Sequence, residues 1–154
     1  MAKLIRKPPL SRSEQMSRIR SRDTLPEMLL RRTLWRMGLR YRLRSTLPGR
    51  PDIVFSSEKL AVFVDGCFWH GCPTHFRAPK TRAEYWSPKI DANIARDRRN
   101  DEALHASGWH VCRLWEHEIE TNPEASARKV AALLLELRRQ AGAPEGPLER
   151  IQFD

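Results

Sequence analysis

The sequence predicts a single domain of the mixed α/β class. Two apolar runs, 51–55 and 60–64, lie on either side of a short polar turn, as the strands of a β-hairpin do. A third strand pattern, which alternates over 109–115, follows a long helical segment, and the last regular segment carries apolar residues at helical spacing. A chain of 154 residues is long enough to bury one core of ordinary size.

The N-terminal part of the chain predicts an arm and two helices. Residues 1–10 are rich in Lys, Arg and Pro, which is typical of a flexible basic arm. Two capping boxes then mark helix starts, and they pair Ser11 with Glu14 and Thr24 with Glu27. The first helix carries Met16. The second has Trp35 among its expected core residues and ends near Gly38, a residue type favoured just after a helix.

The remaining elements predict the sheet and the helices that cover it. Residues 41–44 alternate like a strand, residues 47–50 predict a turn, and the hairpin follows. The later elements are a helix from Ser87-Pro88 to Gly108, a strand over 109–115, a helix that begins at Asn122-Pro123 and a loose tail over 141–154. The domain itself is expected to span residues 11–140.

The charge of the chain predicts its partner. Lys and Arg number 28 against 19 Asp and Glu, which gives a formal net charge of +9. This favours nucleic acid first and an anionic membrane surface second, with a merely basic protein as the alternative. No apolar run is long enough to span a bilayer, and the N-terminus lacks the apolar centre of a secretory signal. We therefore expect a cytoplasmic, nucleoid-associated protein.

A set of Cys and His residues predicts a metal site in the loop over 66–83. Cys67, Cys72 and His75 have the spacing C-x4-C-x2-H, and His117 follows the last strand. Two thiolates and two imidazoles complete a closed tetrahedral site for Zn²⁺, which is structural because no position stays open. In the alternative interpretation the two Cys are small buried apolar residues. Cys112, in the middle of a strand, is interpreted as core.

Acidic residues and one His predict a second, catalytic site. Asp52 opens a buried strand and Asp65 closes its hairpin partner, so the two carboxylates should lie close together. Carboxylate and carbonyl oxygens are the ligands that Mg²⁺ prefers. His70 is a candidate general base, and Asp97 is a candidate to orient it. The alternative for Asp97 is a salt bridge with a neighbouring Arg.

Two pairs of aromatic residues occur outside the predicted helices and strands. Phe68-Trp69 lies beside the metal ligands, and Tyr85-Trp86 precedes the long helix. Aromatic side chains on a basic loop can wedge between base pairs and bend a duplex. Burial in the core is the alternative, and the sequence leaves both open.

These residues together resemble one family, the very-short-patch mismatch-repair endonucleases (Vsr). The similarity runs in order over residues 11–140, and the Gly-Cys-Phe-Trp-His run after an apolar strand is its most specific part. The matching segments are Arg22-Asp23-Thr24 with Glu27, Leu47-Pro48-Gly49-Arg50-Pro51-Asp52, Asp65-Gly66-Cys67-Phe68-Trp69-His70, Thr81-Arg82 with Glu84-Tyr85-Trp86, Asn93 with Arg96-Asp97-Arg98-Arg99, and Gly108-Trp109 with Trp115-Glu116.

The resemblance implies a restriction-endonuclease-like fold, with a mixed central sheet flanked by helices. It also implies roles for single residues. Asp52 and the Val64 carbonyl would bind Mg²⁺, His70 would be the general base supported by Asp97, and Glu27 would be an acidic residue near them. Met16, Phe68, Trp69 and Trp86 would intercalate beside the mismatch, which Lys89 and Asn93 would face. A characterised member has His at the position of Asp65, so the division of roles between Asp65 and His70 stays open.

The resemblance further implies the reaction. A member of this family nicks duplex DNA 5′ to the thymine of a T:G mismatch that arises by deamination of 5-methylcytosine, and mismatch-repair proteins are expected partners. We expect a monomer, because nicking one strand needs a single active site. Two alternatives are a restriction-type nuclease on matched DNA and a zinc-stabilised DNA-binding module without catalysis.

Overall fold

A three-stranded mixed sheet lies at the centre of the fold. The computed structural model describes residues 22–75 and 82–143. β1 (Ile53–Phe55) pairs antiparallel with β2 (Leu60–Asp65), and β3 (His110–Trp115) pairs parallel with β2, in the order β1-β2-β3. The predicted hairpin and the third core strand are therefore confirmed.

Four helices of the described part of the chain surround this sheet. They are α1 (Leu25–Arg36), α2 (Ala83–Ala106), α3 (Glu116–Thr121) and α4 (Pro123–Gln140). The sequence predicted α1, α2 and α4, whereas α3 is a short helix that it did not predict. Among the described residues, no helix combines the length and the apolarity needed to cross a membrane.

The core is divided between the two faces of the sheet. On one face, leucines of α1 and α4 pack against β-strand residues such as Ile53, Val62 and Leu114. On the other face, Leu104 of α2 packs against Ala61 and Phe63 of β2. Since alternate residues of a strand point to opposite faces, this layering follows from the apolar character of both faces of β2.

The strand register brings three chain segments to one edge of the sheet. β2 and β3 run in the same direction and pair Asp65 with Trp115 at their C-terminal ends. β1 is antiparallel to β2, so the residue before β1, Asp52, lies at this same edge. The loop after Asp65, the start of α3 after Trp115 and Asp52 therefore emerge together.

The structure corrects two predicted elements. Helix α2 begins at Ala83 rather than at Ser87, so Tyr85 and Trp86 lie in its first turn and not in a loop. Pro88 lies inside this helix, where its missing N–H removes a single helical hydrogen bond. Residues 41–44 do not form a strand, since one bridge, between Arg42 and Val54, is all that joins them to β1.

Two features of α1 also differ from expectation. The Thr24 side chain does not cap the helix; instead Glu27 accepts hydrogen bonds from the Asp23 N–H (2.9 Å) and the Thr24 hydroxyl (3.2 Å). Trp35 is not a core residue, because 53% of its surface is exposed and the Arg40 guanidinium stacks on it. The predicted arm over 1–10, the helix with Met16 and most of the tail over 141–154 lie outside the described residues.

Candidate active site and metal centre

A cleft of about 1040 Å³ opens at the sheet edge where Asp52, Asp65 and the loop after Asp65 meet. Its lining comes from α1, from the residue before β1, from the end of β2 and from one side of α2. The structure brings nine predicted site residues into this lining: Glu27, Asp52, Val64, Asp65, Phe68, Trp69, His70, Asn93 and Asp97.

Asp52 extends the hairpin one residue beyond β1. Its N–H donates to the Val62 carbonyl (3.0 Å), and its carboxylate Oδ2 accepts from the Val64 N–H (2.7 Å). In a strand, the N–H and C=O of one residue point to the same side. The Val64 carbonyl therefore faces the side on which the Asp52 carboxylate lies, and the two supply oxygen atoms of the kind that hold Mg²⁺.

The environment of Asp52 disfavours an isolated negative charge. The pKa of its carboxyl group is raised from 3.8 to about 6. Burial is the main cause and the negative charges of Glu27 and Asp65 add to it, whereas the Val64 N–H and the Arg31 charge oppose it. A divalent cation in the cleft would offset this repulsion. The donor set and its charge thus fit a hard cation.

Glu27 forms the wall of the cleft opposite the sheet. It is 4% exposed and accepts hydrogen bonds from the Asp23 N–H and from Arg31 Nη2 (3.0 Å). Arg31 also binds the Asp23 carboxylate at 2.6 Å. The Glu27 carboxylate is consequently held in place by α1 itself.

His70 and Asp97 form a direct hydrogen-bonded pair. His70 Nδ1 lies 2.5 Å from Asp97 Oδ2, across the gap between the loop and α2. When Nδ1 carries the hydrogen of this bond, Nε2 is left as a proton acceptor. A carboxylate that fixes the tautomer of a His in this way is the usual support of a general base. Asp97 also lies 3.9 Å from Arg113 Nη2, so the alternative role, an ion pair with an Arg, is present alongside the pair with His70.

Asp65 has a partner that the sequence did not predict, Arg113 of β3. Both carboxylate oxygens of Asp65 lie 3.0–3.1 Å from Arg113 Nη1. Asp65 Oδ1 lies 3.9 Å from His70 Nδ1, which is too far for a hydrogen bond. Burial raises the pKa of Asp65, although the Arg113 charge opposes this.

The predicted metal ligands converge on one point beside the cleft. The ligand atoms of Cys67, Cys72, His75 and His117 all lie within 4.8 Å of one another. His117 Nδ1 is 3.1 Å from Cys67 Sγ and 3.7 Å from Cys72 Sγ. These separations suit a tetrahedral ion with about 2.3 Å bonds to sulfur and about 2.0 Å bonds to nitrogen. The soft thiolate and imidazole donors fit Zn²⁺ rather than Mg²⁺.

The metal cluster and the cleft share the same short loop. The Cys72 N–H donates to the Cys67 carbonyl (2.9 Å), and the His70 N–H donates to the Gly66 carbonyl (3.2 Å). Glu116, at the start of α3, accepts from the Cys67 N–H (2.9 Å). An ion held by Cys67 and Cys72 would therefore fix the intervening residues, including His70.

The aromatic residues form one cluster at the mouth of the cleft. Phe68, Trp69 and Trp86 contact one another edge to face, with ring centroids 5.2–5.8 Å apart. Tyr85 extends the cluster, 5.0 Å from Trp86, and is 51% exposed. None of the four is fully buried, so this cluster is a surface feature and not part of the core.

Lys89 and Asn93 lie on the side of α2 next to this aromatic cluster. Lys89 Nζ donates to the Tyr85 hydroxyl (2.6 Å) and lies over the Tyr85 ring. Asn93 Nδ2 donates to the Trp69 carbonyl (3.2 Å). Both residues thus connect α2 to the aromatic cluster, while Met16 lies outside the described residues.

Sequence reasoning missed Arg113, Asp101 and Glu116. Arg113 occupies the middle of a strand whose neighbours Cys112 and Leu114 are buried. Alternation along the strand places Arg113 on the face opposite to these two residues. No local pattern in the sequence therefore identified the carboxylate partners of Arg113, and none identified Asp101 or Glu116 as site residues.

Comparison with known proteins gives a consistent result. The family model for DNA mismatch endonuclease Vsr matches residues 7–75. The Type II nicking enzyme V.XorIIP of Xanthomonas oryzae pv. oryzae is 48% identical over 122 residues, which is 78% of this chain and 90% of that protein. V.NaeI of Lentzea aerocolonigenes, also a Type II nicking enzyme, is 48% identical over 70% of this chain and 68% of its own length. The DNA mismatch endonuclease Vsr of Escherichia coli K12 is 42% identical over 69% of each chain.

Proposed function

This chain belongs to the Vsr family of DNA endonucleases, and from that premise we propose that it nicks duplex DNA 5′ to the thymine of a T:G mismatch by Mg²⁺-dependent hydrolysis. The proposal is supported chiefly by one observation. The Asp52 carboxylate, the hydrogen-bonded pair of His70 and Asp97, and two rings of the aromatic cluster, Phe68 and Trp69, line the same cleft. The restriction-endonuclease-like fold that the family resemblance implies is consistent with this arrangement.

Asp52 and the Val64 carbonyl would hold the Mg²⁺, with Glu27 as a neighbouring acidic group. When bound there, the ion would supply positive charge to the phosphate and lower the pKa of the attacking water. Asp52 lies in a partly dehydrated position, where such a charge has a larger effect than in water. The donors are all oxygen atoms, which favours Mg²⁺ over Zn²⁺ at this site.

His70 would act as the general base. Its Nε2 accepts a proton from water while the water oxygen forms a bond to phosphorus and the bond between phosphorus and the 3′ oxygen breaks. The 3′ oxygen takes a proton from solvent, which leaves a 3′-hydroxyl and a 5′-phosphate. Asp97 holds the Nδ1–H throughout and stabilises the charged imidazole.

The Zn²⁺ held by Cys67, Cys72, His75 and His117 would be structural. These four side chains would fill all four positions of a tetrahedral ion, so no position would remain for substrate. The ion would contribute by fixing the loop that carries His70 and Phe68.

The aromatic cluster would recognise the mismatch by insertion into the base stack. Phe68, Trp69 and Trp86 supply flat apolar surfaces, and a T:G pair is easier to unstack than a matched pair. Lys89 and Asn93 stand beside these rings and would face the exposed edges, together with Met16. The net charge of +9 would attract the DNA backbone. We expect the enzyme to act as a monomer on chromosomal DNA, in the cytoplasm at the nucleoid.

A single-turnover nicking assay tests the proposal. Three duplexes that differ at one pair, T:G, T:A and C:G, are mixed with excess enzyme, with and without Mg²⁺. We expect a nick 5′ to the mismatched T, with a 5′-phosphate, in the T:G duplex when Mg²⁺ is present. Equal cutting of all three would show a restriction-type nuclease. Tight binding without cutting under any divalent ion would show a DNA-binding module.

A further inference from the structure

Arg113 stands at the centre of an acidic cluster behind His70. Its guanidinium binds Asp65 through Nη1 and Asp101 through Nε and Nη2, at 2.7–3.2 Å. Asp97 Oδ1 lies 3.9 Å from Nη2. One positive charge therefore faces three carboxylates, one of which orients His70.

Two of these carboxylates compete for the same donor. His70 Nδ1 lies 2.5 Å from Asp97 and 3.9 Å from Asp65, and only one of them can accept its hydrogen in a good geometry. The Asp65 side chain is 7% exposed, so water cannot satisfy both of its oxygens. Without another donor, Asp65 would turn to His70.

Resting on the proposed function, we propose that Arg113 is a positioning residue that holds Asp65 away from His70, so that Asp97 rather than Asp65 orients the catalytic imidazole. Arg113 lines the cleft, but the hydrogen bonds of its guanidinium go to Asp65 and Asp101. It acts through Asp65, which it keeps from accepting the His70 Nδ1–H.

Arg113 is itself fixed from two further sides. The Asp101 carboxylate binds the edge of the guanidinium that faces away from Asp65. The Phe63 ring lies beneath it, 4.2 Å from Cζ to the ring centroid. A contact of two nitrogens with Asp101, the contact of Nη1 with Asp65 and a stacked ring restrict Arg113 to one orientation, which a Lys at this position would not adopt.

The geometry predicts a specific failure when Arg113 is removed. In Arg113→Met, Asp65 would lose its hydrogen-bond donor and draw the His70 Nδ1–H across the 3.9 Å gap. The ring would turn, and Nε2 would no longer face the attacking water. Arg113 stacks on Phe63 and pairs with Asp65 and Asp101, so we expect its removal to leave the aromatic cluster in place and the binding of DNA to change little. The single-turnover nicking rate at saturating enzyme should fall. The enzyme concentration that gives half of this rate should stay unchanged.

A rescue experiment separates this role from a purely structural one. Single-turnover nicking of the T:G duplex is measured for Arg113→Met, Asp65→Asn and the double variant. We expect Arg113→Met to be slower by at least about 100-fold at saturating enzyme. The double variant, which has no carboxylate to compete with Asp97, should recover to within about fivefold of wild type. A loss of stability alone would not be reversed by the second substitution.

Arg138→Met is the matched control. Arg138 pairs with the largely buried Glu58 at 2.7 Å, and neither residue lines the cleft. This variant should lose stability as Arg113→Met does, yet keep the wild-type nicking rate. The NMR signal of the His70 Nδ1 proton gives an independent readout. Its strongly downfield position should be lost in Arg113→Met and restored in the double variant.

The outcomes are distinguishable from a failure of the proposed function. If wild type does not nick the T:G duplex, the function is wrong; if it does, the variants decide the role of Arg113. An Arg113→Met rate within threefold of wild type would overturn the role, as would a double variant as slow as Arg113→Met. If Arg113→Met does not fold, the nicking rate of the folded double variant still decides, because the proposal predicts near-normal nicking in a protein that lacks both Arg113 and the Asp65 carboxylate.

Discussion

Replacing Asp52 by Asn should stabilise the protein while abolishing its activity. The amide is neutral and nearly the same size as the carboxylate, and its oxygen can still accept from the Val64 N–H. The substitution therefore removes the buried charge and little else. Such a gain is expected where a site is arranged for function at the expense of stability.

The size of the effect follows from the pKa of Asp52. Burial raises this pKa from 3.8 to about 6, so the folded protein binds the proton more tightly than the unfolded chain does. The stability that the protonated Asp52 carboxyl contributes is therefore fully present below pH 3.8 and is lost as the pH rises through about 6. Above that range, the wild type should be less stable than Asp52→Asn by about 3 kcal/mol, and at pH 5 by about half as much.

Urea unfolding at pH 5 and pH 8, without added Mg²⁺ and with Zn²⁺ bound, measures this difference. Asp91→Asn, an exposed carboxylate on α2, is the control and should leave stability unchanged at both values. Adding about 10 mM Mg²⁺ at pH 8 should stabilise the wild type and not Asp52→Asn. The reasoning would be refuted by an Asp52→Asn variant that is no more stable than wild type at pH 8.

Three further predictions concern the other parts of the site. Asp97→Asn should slow nicking by about 100-fold or more with little change in DNA affinity, because it disturbs the orientation of His70. Quench-flow kinetics measure the nicking rate, and gel-shift titration measures the DNA affinity. Cys72→Ser, or removal of Zn²⁺ by a chelator, should lower the melting temperature by about 10 °C or more in calorimetry, and an unchanged melt would show that the loop needs no ion. Trp86→Ala should weaken binding to the T:G duplex by about 10- to 100-fold in fluorescence anisotropy, whereas Trp35→Ala, far from the cleft, should not.

Much of the fold could be predicted because the apolar patterns are local. The hairpin, the strand over 110–115 and the helix from Pro123 each have a period and boundary residues that identify them. The start of α2 was placed four residues late because Pro88 resembles a first helical residue. A helix that starts earlier tolerates it at the cost of one hydrogen bond.

The site was predictable where a single residue type implies one kind of chemistry. Two Cys and two His at close spacing indicate a metal, and these four side chains do converge. By contrast, the pairing of Asp65 with Arg113 joins residues 48 positions apart. It depends on the parallel register of β2 and β3, in which Asp65 pairs with Trp115 and Arg113 lies two residues away on the same side. No local sequence pattern indicates the register of these two strands.

The central claim is that Asp52, His70 and Asp97 act around one divalent ion in the cleft. The most direct test is a crystal structure of the Asp97→Asn variant with a T:G duplex and Mn²⁺, which anomalous scattering locates. We expect a manganese ion about 2.2 Å from the Asp52 carboxylate and the Val64 carbonyl, with the phosphate 5′ to the mismatched T bound to it and His70 beside that phosphate. Manganese elsewhere, with Asp52 unliganded and the phosphate out of reach of His70, would contradict it.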